Sequence, residues 1–258
     1  MVEWFGNLGP LRQALVATIG TYLLTAIGTL PVLFFRSAPR RLMDVFMGFA
    51  GGVMVAAACW SLLEPALAAG GVVATVCGFA IGSALLYSLD RCLPHQHSEF
   101  PDESRPKGPR VRWRRSVLLM IAITIHNFPE GLAVGVAYGA ENVGAATALA
   151  IGIGLQNIPE GLAIALPLRR DGMSPLRAFW YGQLSATVEP IAGILGVGVV
   201  MISQPLLPFA MAAAAGAMLY VVVEELIPET VRSGSVELAT IGFLVGFVVM
   251  MTLDNALS

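Results

Sequence analysis

The sequence predicts an all-α polytopic membrane protein, and its bulk composition is the first observation behind that class. Of the 258 residues, 56% are hydrophobic and 12% are charged, whereas about a quarter of the residues in an ordinary soluble domain are charged. The mean hydropathy is +0.76, and a soluble protein of this length has too little interior to bury so many apolar side chains. The net charge of −2 gives no basic surface, so we expect no nucleic acid as a partner.

Apolar stretches of membrane-spanning length are the second observation. A helix needs about 20 apolar residues to cross the hydrocarbon core, and short polar breaks such as "RSAPRR" and "RRDGMSP" separate successive stretches. We predict one transmembrane domain over residues 1–258 with eight transmembrane helices, at about 11–35, 43–69, 72–93, 116–139, 145–168, 175–202, 206–231 and 235–256. The segment 94–115 is rich in proline and charge and is predicted to be a loop.

The basic residues are the third observation, because they predict the orientation. Of the 15 Lys and Arg residues, all but Arg12 lie in or beside the first, third, fifth and seventh connections. Such residues favour the cytoplasmic side of a membrane. We therefore expect both termini outside the cell, the loop 94–115 in the cytoplasm, and a multi-pass protein of the cell (inner) membrane.

Two similar motifs lie where a membrane helix should be least polar. "HNFPEGLAVG" occupies residues 126–135 and "QNIPEGLAIA" occupies residues 156–165, near the midpoints of the fourth and fifth stretches. Glu189 lies at the midpoint of the sixth stretch. Ionisable side chains at this depth are costly and usually mark a pathway or a site.

Helical spacing places the side chains of each motif on one face. His126 and Glu130 are four residues apart, and Asn127 is three residues before Glu130, so the three share one side of the fourth helix. The fifth helix repeats the arrangement with Gln156, Asn157 and Glu160. Because a short connection makes the two helices antiparallel neighbours, we expect the two polar faces to meet at one depth.

Each motif also contains a proline. Pro129 and Pro159 each remove one backbone N–H and displace the carbonyl one turn earlier. Discontinuous helices near the midplane are typical of transporter binding sites, so we expect the fourth and fifth helices to be broken at these prolines and to form the core. Gly131 and Gly161 should let neighbouring backbones come close.

This set of side chains indicates a cation as the ligand. An imidazole nitrogen together with carboxylate oxygens suits zinc, cadmium, iron(II) or manganese better than calcium, which prefers oxygen alone. The cysteines form no cluster at this depth, which disfavours copper(I), and they are predicted to be small buried hydrophobes: Cys59, Cys77 and Cys92. We expect no prosthetic group.

The pair "HNFPEG" and "QNIPEG" resembles the ZIP (Zrt/Irt-like) family of divalent-metal transporters, most closely its prokaryotic GufA-type branch. The resemblance covers essentially the whole chain. It implies uptake of zinc, with cadmium, iron or manganese as other substrates, by an elevator-like shift of one helix bundle against another, in a homodimer.

The resemblance also implies which residues bind the metal. It gives a primary site of His126, Glu130, Gln156 and Glu160. It gives a weaker second site of Asn127, Glu130, Asn157, Glu160 and Glu189. Asn157 stands where GufA-type members often have Asp, so that binding of one ion and binding of two both stay open.

The second predicted helix holds further candidates. There Met54 matches a thioether near the metal, and Ser61 matches a polar residue on the outer access path of the family. Glu64 lies about 12 Å outward of the midpoint of that helix at 1.5 Å per residue. For Met54, ordinary packing stays open, and for Glu64 both attraction of cations and a simple interfacial charge stay open.

Candidates for the exit path lie on the cytoplasmic side. Glu224 and Glu225 of the seventh helix match a position that often holds His-Glu in the family, about 8–10 Å cytoplasmic of the centre. His95 and His97 begin the cytoplasmic loop, where family members often have histidines that take or sense metal. Helix-end solvation and loop histidines without a function stay open for these residues.

Two other classes of function stay open. An intramembrane metalloenzyme needs an open metal position and a positioned acid or base, as in H-E-x-x-H, whereas this chain has H-x-x-x-E with His126 as the one histidine in a predicted span. An ion-coupled carrier of another solute would use the buried carboxylates as a relay. We expect a metal transporter and not an enzyme.

Overall fold

The computed structural model describes residues 3–92, 115–140, 142–232 and 236–257, and in these ranges the chain is helical and contains no strand. The run Arg40–Cys92 is divided at Gly71, where the backbone leaves the helical conformation at φ 69° and ψ −179°. We number its halves α2 (40–70) and α3 (72–92). The other long helices are α1 (Pro10–Leu33), α4 (Arg115–Gly139), α5 (Val143–Arg170), α6 (Pro175–Ile202), α7 (204–232) and α8 (Val236–Leu257).

The described helices include six candidate membrane spans by length and hydropathy, which are Pro10–Leu33, Arg40–Cys92, Val143–Arg170, Pro175–Ile202, Gln204–Leu226 and Val236–Leu257. The run Arg40–Cys92 has 53 residues, more than twice the length that one crossing needs. The all-helical described ranges and these six candidate spans confirm the predicted all-α membrane class.

Helix α1 buries polar side chains and exposes apolar ones, which is the reverse of a surface helix in a soluble protein. Its buried face carries polar side chains, namely Gln13, Thr18, Thr21, Thr25 and Thr29. Its outer face carries large apolar side chains such as Leu23 and Ile27, which are 51% and 52% exposed. This arrangement suits a helix whose outer side faces lipid.

The prediction that prolines break the fourth and fifth helices is wrong. α4 continues through Pro129 and α5 continues through Pro159 without a change of helical class. The fixed φ of proline is itself helical, so a helix can continue through it at the loss of one hydrogen bond. The irregular turns lie elsewhere: π segments at Ala57–Leu63 and Val222–Leu226, and a 3₁₀ turn at Ser185–Thr187.

The prediction of buried cysteines is also wrong. All three thiols are free and exposed on the outer faces of α2 and α3. In lipid an exposed thiol behaves as a small apolar group, so that burial brings it no advantage.

The helices pack mainly in the pairs α1–α5, α4–α6, α2–α8 and α3–α7. Glycines bring these backbones together, because a Cβ at each position would overlap a carbonyl oxygen of the partner helix. The positions are Gly28 and Gly161 for α1–α5, Gly131 and Gly135 for α4–α6, Gly48 and Gly52 for α2–α8, and Gly82 and Gly216 for α3–α7. The expected close approach at Gly131 and Gly161 is confirmed.

Candidate metal site

The two sequence motifs meet through Glu130 and Gln156. The Gln156 side chain donates from Nε2 to Oε1 of Glu130 at 2.8 Å. Both side chains are buried, with 0% of Gln156 and 1% of Glu130 exposed. The polar faces of α4 and α5 therefore lie at the same level, as their spacing in the sequence predicts.

A second contact joins α5 to α6. Asn157 donates from Nδ2 to both carboxylate oxygens of Glu189, at 3.0 Å and 3.1 Å. The same nitrogen lies 3.3 Å from the backbone oxygen of Thr21 in α1. A second threonine of α1, Thr25, lies beside the Glu189 carboxylate. Glu189 is thus held by neutral groups from two helices.

Glu160 connects the carboxylates of the site. Its charge interacts with those of Glu130 and Glu189, and with that of Glu225 on α7. Like charges this close repel one another. Glu160 is half-buried, so water screens that repulsion only in part, and a cation at the centre of the group would offset it.

His126 is paired with Glu225. Its Nδ1 lies 2.5 Å from Oε2 of Glu225, and each side chain is 13% exposed. Glu225 belongs to the π segment Val222–Leu226 of α7. The predicted exit-path glutamate is therefore in direct contact with a predicted metal ligand, a relation that depth along the sequence did not indicate.

Several buried oxygen atoms of the motifs lack a hydrogen-bond partner among the described residues. They are Oε2 of Glu130, Oε1 of Gln156 and Oδ1 of Asn157, and the amide nitrogen of Asn127 is also unpartnered. Buried polar groups in proteins are almost always hydrogen-bonded. Unpartnered acceptors on the joined side chains of Glu130 and Gln156 therefore favour a ligand that brings positive charge.

The predicted ligands are not arranged around one point in this conformation. In the described part of the chain, no three His, Cys, Asp or Glu groups stand close enough to hold a metal ion together. Gln156 engages Glu130, and Glu225 engages His126. An ion that used Oε1 of Glu130 or Nδ1 of His126 would have to replace these contacts.

The backbone fixes the relative positions of the polar groups. A Cβ on Gly131, the residue after Glu130, would overlap the carbonyl oxygen of Glu189. A Cβ on Gly161, the residue after Glu160, would overlap that of Thr25. Each motif glutamate is therefore followed by a residue that touches the next helix.

Other predicted residues lie away from this cluster or have different partners. Met54 is fully buried in an apolar core that also includes Ala133 and Val134 of the first motif. Ser61 is buried and donates to Oδ1 of Asp254 on α8 at 2.8 Å. Glu64 is exposed, and Glu224 is half-buried. His95 and His97 lie outside the described residues.

Sequence reasoning missed three polar residues that make hydrogen bonds between helices. Asp254 is the partner of Ser61. Thr21 is part of a buried threonine stripe on α1 whose spacing of three and four residues was a usable signal. Gln183 of α6 is buried and accepts a hydrogen bond from the hydroxyl of Tyr22, which no local pattern indicates.

The helical fold, its apolar outer surface and a core of carboxylates and amides define an integral membrane protein with its polar groups gathered between helices. The family description "ZIP Zinc transporter" matches residues 94–254. The chain belongs to the ZIP zinc transporter family, which confirms the resemblance drawn from the two motifs.

Curated relatives match along nearly the whole chain. "Zinc transporter ZIP11" of Homo sapiens is 41% identical, with 95% of this chain and 97% of the relative covered. "Zinc transporter GufA" of Myxococcus xanthus is 36% identical over 96% of this chain and 100% of the relative. "Zinc transporter ZIPB" of Bordetella bronchiseptica is 37% identical over 97% and 83%. These relatives are named as transporters, and the prediction that the chain is not an enzyme agrees with them.

Proposed function

We propose that this protein carries divalent transition-metal ions, zinc first, across the cell membrane into the cytoplasm. The names of its relatives support zinc as the substrate. Cadmium, iron(II) and manganese are secondary substrates, because a nitrogen and oxygen donor set also accepts them. The ion is cargo, and its binding is transient.

The observation that carries the proposal is the set of unpartnered buried oxygens between α4 and α5. Oε2 of Glu130 and Oε1 of Gln156 belong to side chains already joined at 2.8 Å, and neither oxygen has a donor among the described residues. We assign the primary site to these two side chains together with His126 and Glu160. One imidazole nitrogen and several oxygens suit zinc coordination.

The internal contacts suggest how an ion is taken up and released. In this conformation Nδ1 of His126 is held by Glu225. Coordination of an ion by Nδ1 would require this contact to break, whereas coordination by Nε2 would leave it in place. We place Glu225 and Glu224 on the exit path and Ser61 and Glu64 on the outer access path.

The remaining features of the proposal are the topology and the assembly. We propose eight transmembrane helices with both termini outside, alternating access by a shift of one helix bundle against another, and a homodimer. The division of the helices into the tightly packed pairs α1–α5 and α4–α6 on one hand, and α2–α8 and α3–α7 on the other, supports a motion between two bundles.

The test is zinc uptake into liposomes containing the purified protein. We expect time-dependent uptake by the wild type, loss of at least tenfold with H126A or E130A, and wild-type rates with E237Q, which changes an exposed glutamate of α8. Absence of zinc and cadmium flux in the wild type would overturn the proposal. Uptake of another solute driven by an ion gradient would instead favour the coupled carrier.

A further inference from the structure

The contact between Asn157 and Glu189 has an unusual symmetry. One amide nitrogen lies 3.0 Å from one carboxylate oxygen and 3.1 Å from the other. Both residues are buried, with 1% of Asn157 and 0% of Glu189 exposed. The nitrogen therefore lies between the two oxygens, in the place where a bidentate carboxylate holds a cation.

The amide cannot leave this place by turning over. An asparagine amide has two donor hydrogens on nitrogen and only acceptor capacity on oxygen. The nitrogen also faces the backbone oxygen of Thr21 at 3.3 Å, so three acceptor oxygens surround it. Rotation of the amide would bring Oδ1 against these acceptors and remove the donor that Nδ2 gives them, at the cost of unfavourable contacts between buried oxygens.

We infer that the Asn157 amide takes the place of a second metal ion at Glu189, so that the transport site holds a single ion per chain. The inference rests on the proposed function and assigns Glu189 a different role from the primary ligands. A metal bound to Glu189 would lie about 2.0–2.2 Å from its oxygens. The amide nitrogen blocks that approach between the oxygens, and as a donor it is not a ligand itself.

The two sides of the site differ in what they leave unsatisfied. On the side of α4, Oε2 of Glu130 and Oε1 of Gln156 have no partner among the described residues. On the side of α6, both oxygens of Glu189 already have a donor. An arriving cation therefore gains most at Glu130 and Gln156, and Asn157 remains able to offer Oδ1 while Nδ2 holds Glu189.

Glu189 then acts as a positioning residue. Its carboxylate connects α6 to α5 through the Asn157 amide. Its backbone carbonyl packs closely against Gly131 of α4. Its carboxylate fixes the orientation of the Asn157 amide and hence the position of the one oxygen that Asn157 can turn toward an ion.

The experiment counts metal ions in the full-length protein in detergent. Zinc bound to the wild type and to N157D is measured by equilibrium titration followed by elemental analysis, and a zinc-edge anomalous map locates each ion. We expect one zinc per wild-type chain, at the His126 and Glu130 side. We expect two per chain in N157D, because the introduced carboxylate would then lie beside that of Glu189 with no donor between them.

The outcomes separate this inference from the proposed function. Two ions in the wild type, or an anomalous peak within bonding distance of Glu189, would overturn the single-ion assignment and leave metal transport standing. One ion in both proteins would show that Asn157 does not decide the number. Zinc binding by neither protein would overturn the proposed function itself. If N157D does not fold, the wild-type count and map still decide the assignment.

Discussion

His126 on α4 and Glu225 on α7 touch, with Nδ1 of the histidine 2.5 Å from Oε2 of the glutamate. The contact joins a helix of the motif pair to a helix of the other bundle. A histidine nitrogen that faces a carboxylate cannot at the same moment coordinate a metal through that nitrogen. In this conformation Nδ1 is therefore engaged, and metal coordination by His126 would have to use Nε2.

We predict that substitutions of His126 and Glu225 are energetically coupled. In a double-mutant cycle of H126A, E225A and the double variant, the coupling should be about 0.5–3 kcal/mol, as for residues in direct contact. Thermal unfolding of the purified protein provides the measurement. In a parallel cycle with E64A, which changes an exposed residue of α2, the effects should add. Additive effects for His126 and Glu225 would show that their contact does not contribute to stability.

We predict that Q156E makes stability depend on zinc. The substitution replaces an amide donor 2.8 Å from Glu130 with a second carboxylate, and the repulsion should lower the melting temperature of the metal-free protein by roughly 5 °C. Added zinc should restore it, with a larger shift than in the wild type.

A matched control for Q156E is Q183E, a buried glutamine of α6 outside the motifs. It should also destabilise the protein, since it adds a buried charge, but zinc should not rescue it. Equal rescue of both variants would contradict the location of the site beside Gln156.

We predict that G131A destabilises the protein through backbone overlap. A Cβ at this position would overlap the carbonyl oxygen of Glu189, and forced repacking typically costs about 1–3 kcal/mol. G198A is the control, because a Cβ on Gly198 in α6 meets nothing within 4 Å. That variant should keep or slightly raise the unfolding temperature, since alanine favours a helix more than glycine does. Similar unfolding temperatures for the two variants would argue against a close α4–α6 crossing.

We predict the orientation from accessibility to a membrane-impermeant maleimide. After replacement of the native cysteines by alanine, N7C and N255C should be labelled in intact cells. S37C and D171C, which are equally exposed, should be labelled only after permeabilisation. The reverse pattern would place both termini in the cytoplasm and would invert the proposed direction of the access and exit paths.

Sequence reasoning predicted the features that depend on local spacing. Apolar content predicted the all-helical membrane class, and the matched depth of the two motifs predicted the meeting of Glu130 with Gln156. The resemblance placed Asn157 and Glu189 in one site but did not indicate that the amide donates to the carboxylate. The contact of His126 with Glu225 was not predictable from spacing, because it depends on how α7 rotates about its axis. The predicted break of α4 at Pro129 was wrong, because packing of α4 on α6 outweighs the loss of one backbone hydrogen bond.

The close crossings at Gly131 and Gly161 limit the freedom of the helices that carry the motifs. Gly131 ties α4 to the backbone of α6, and Gly161 ties α5 to the backbone of α1. Neither pair can change its register without separating two main chains. Together with the amide bridge from Asn157 to Glu189, these contacts connect α1, α4, α5 and α6 into one packed unit. In the proposed shift of one bundle against the other, the side chains of both motifs would therefore move together.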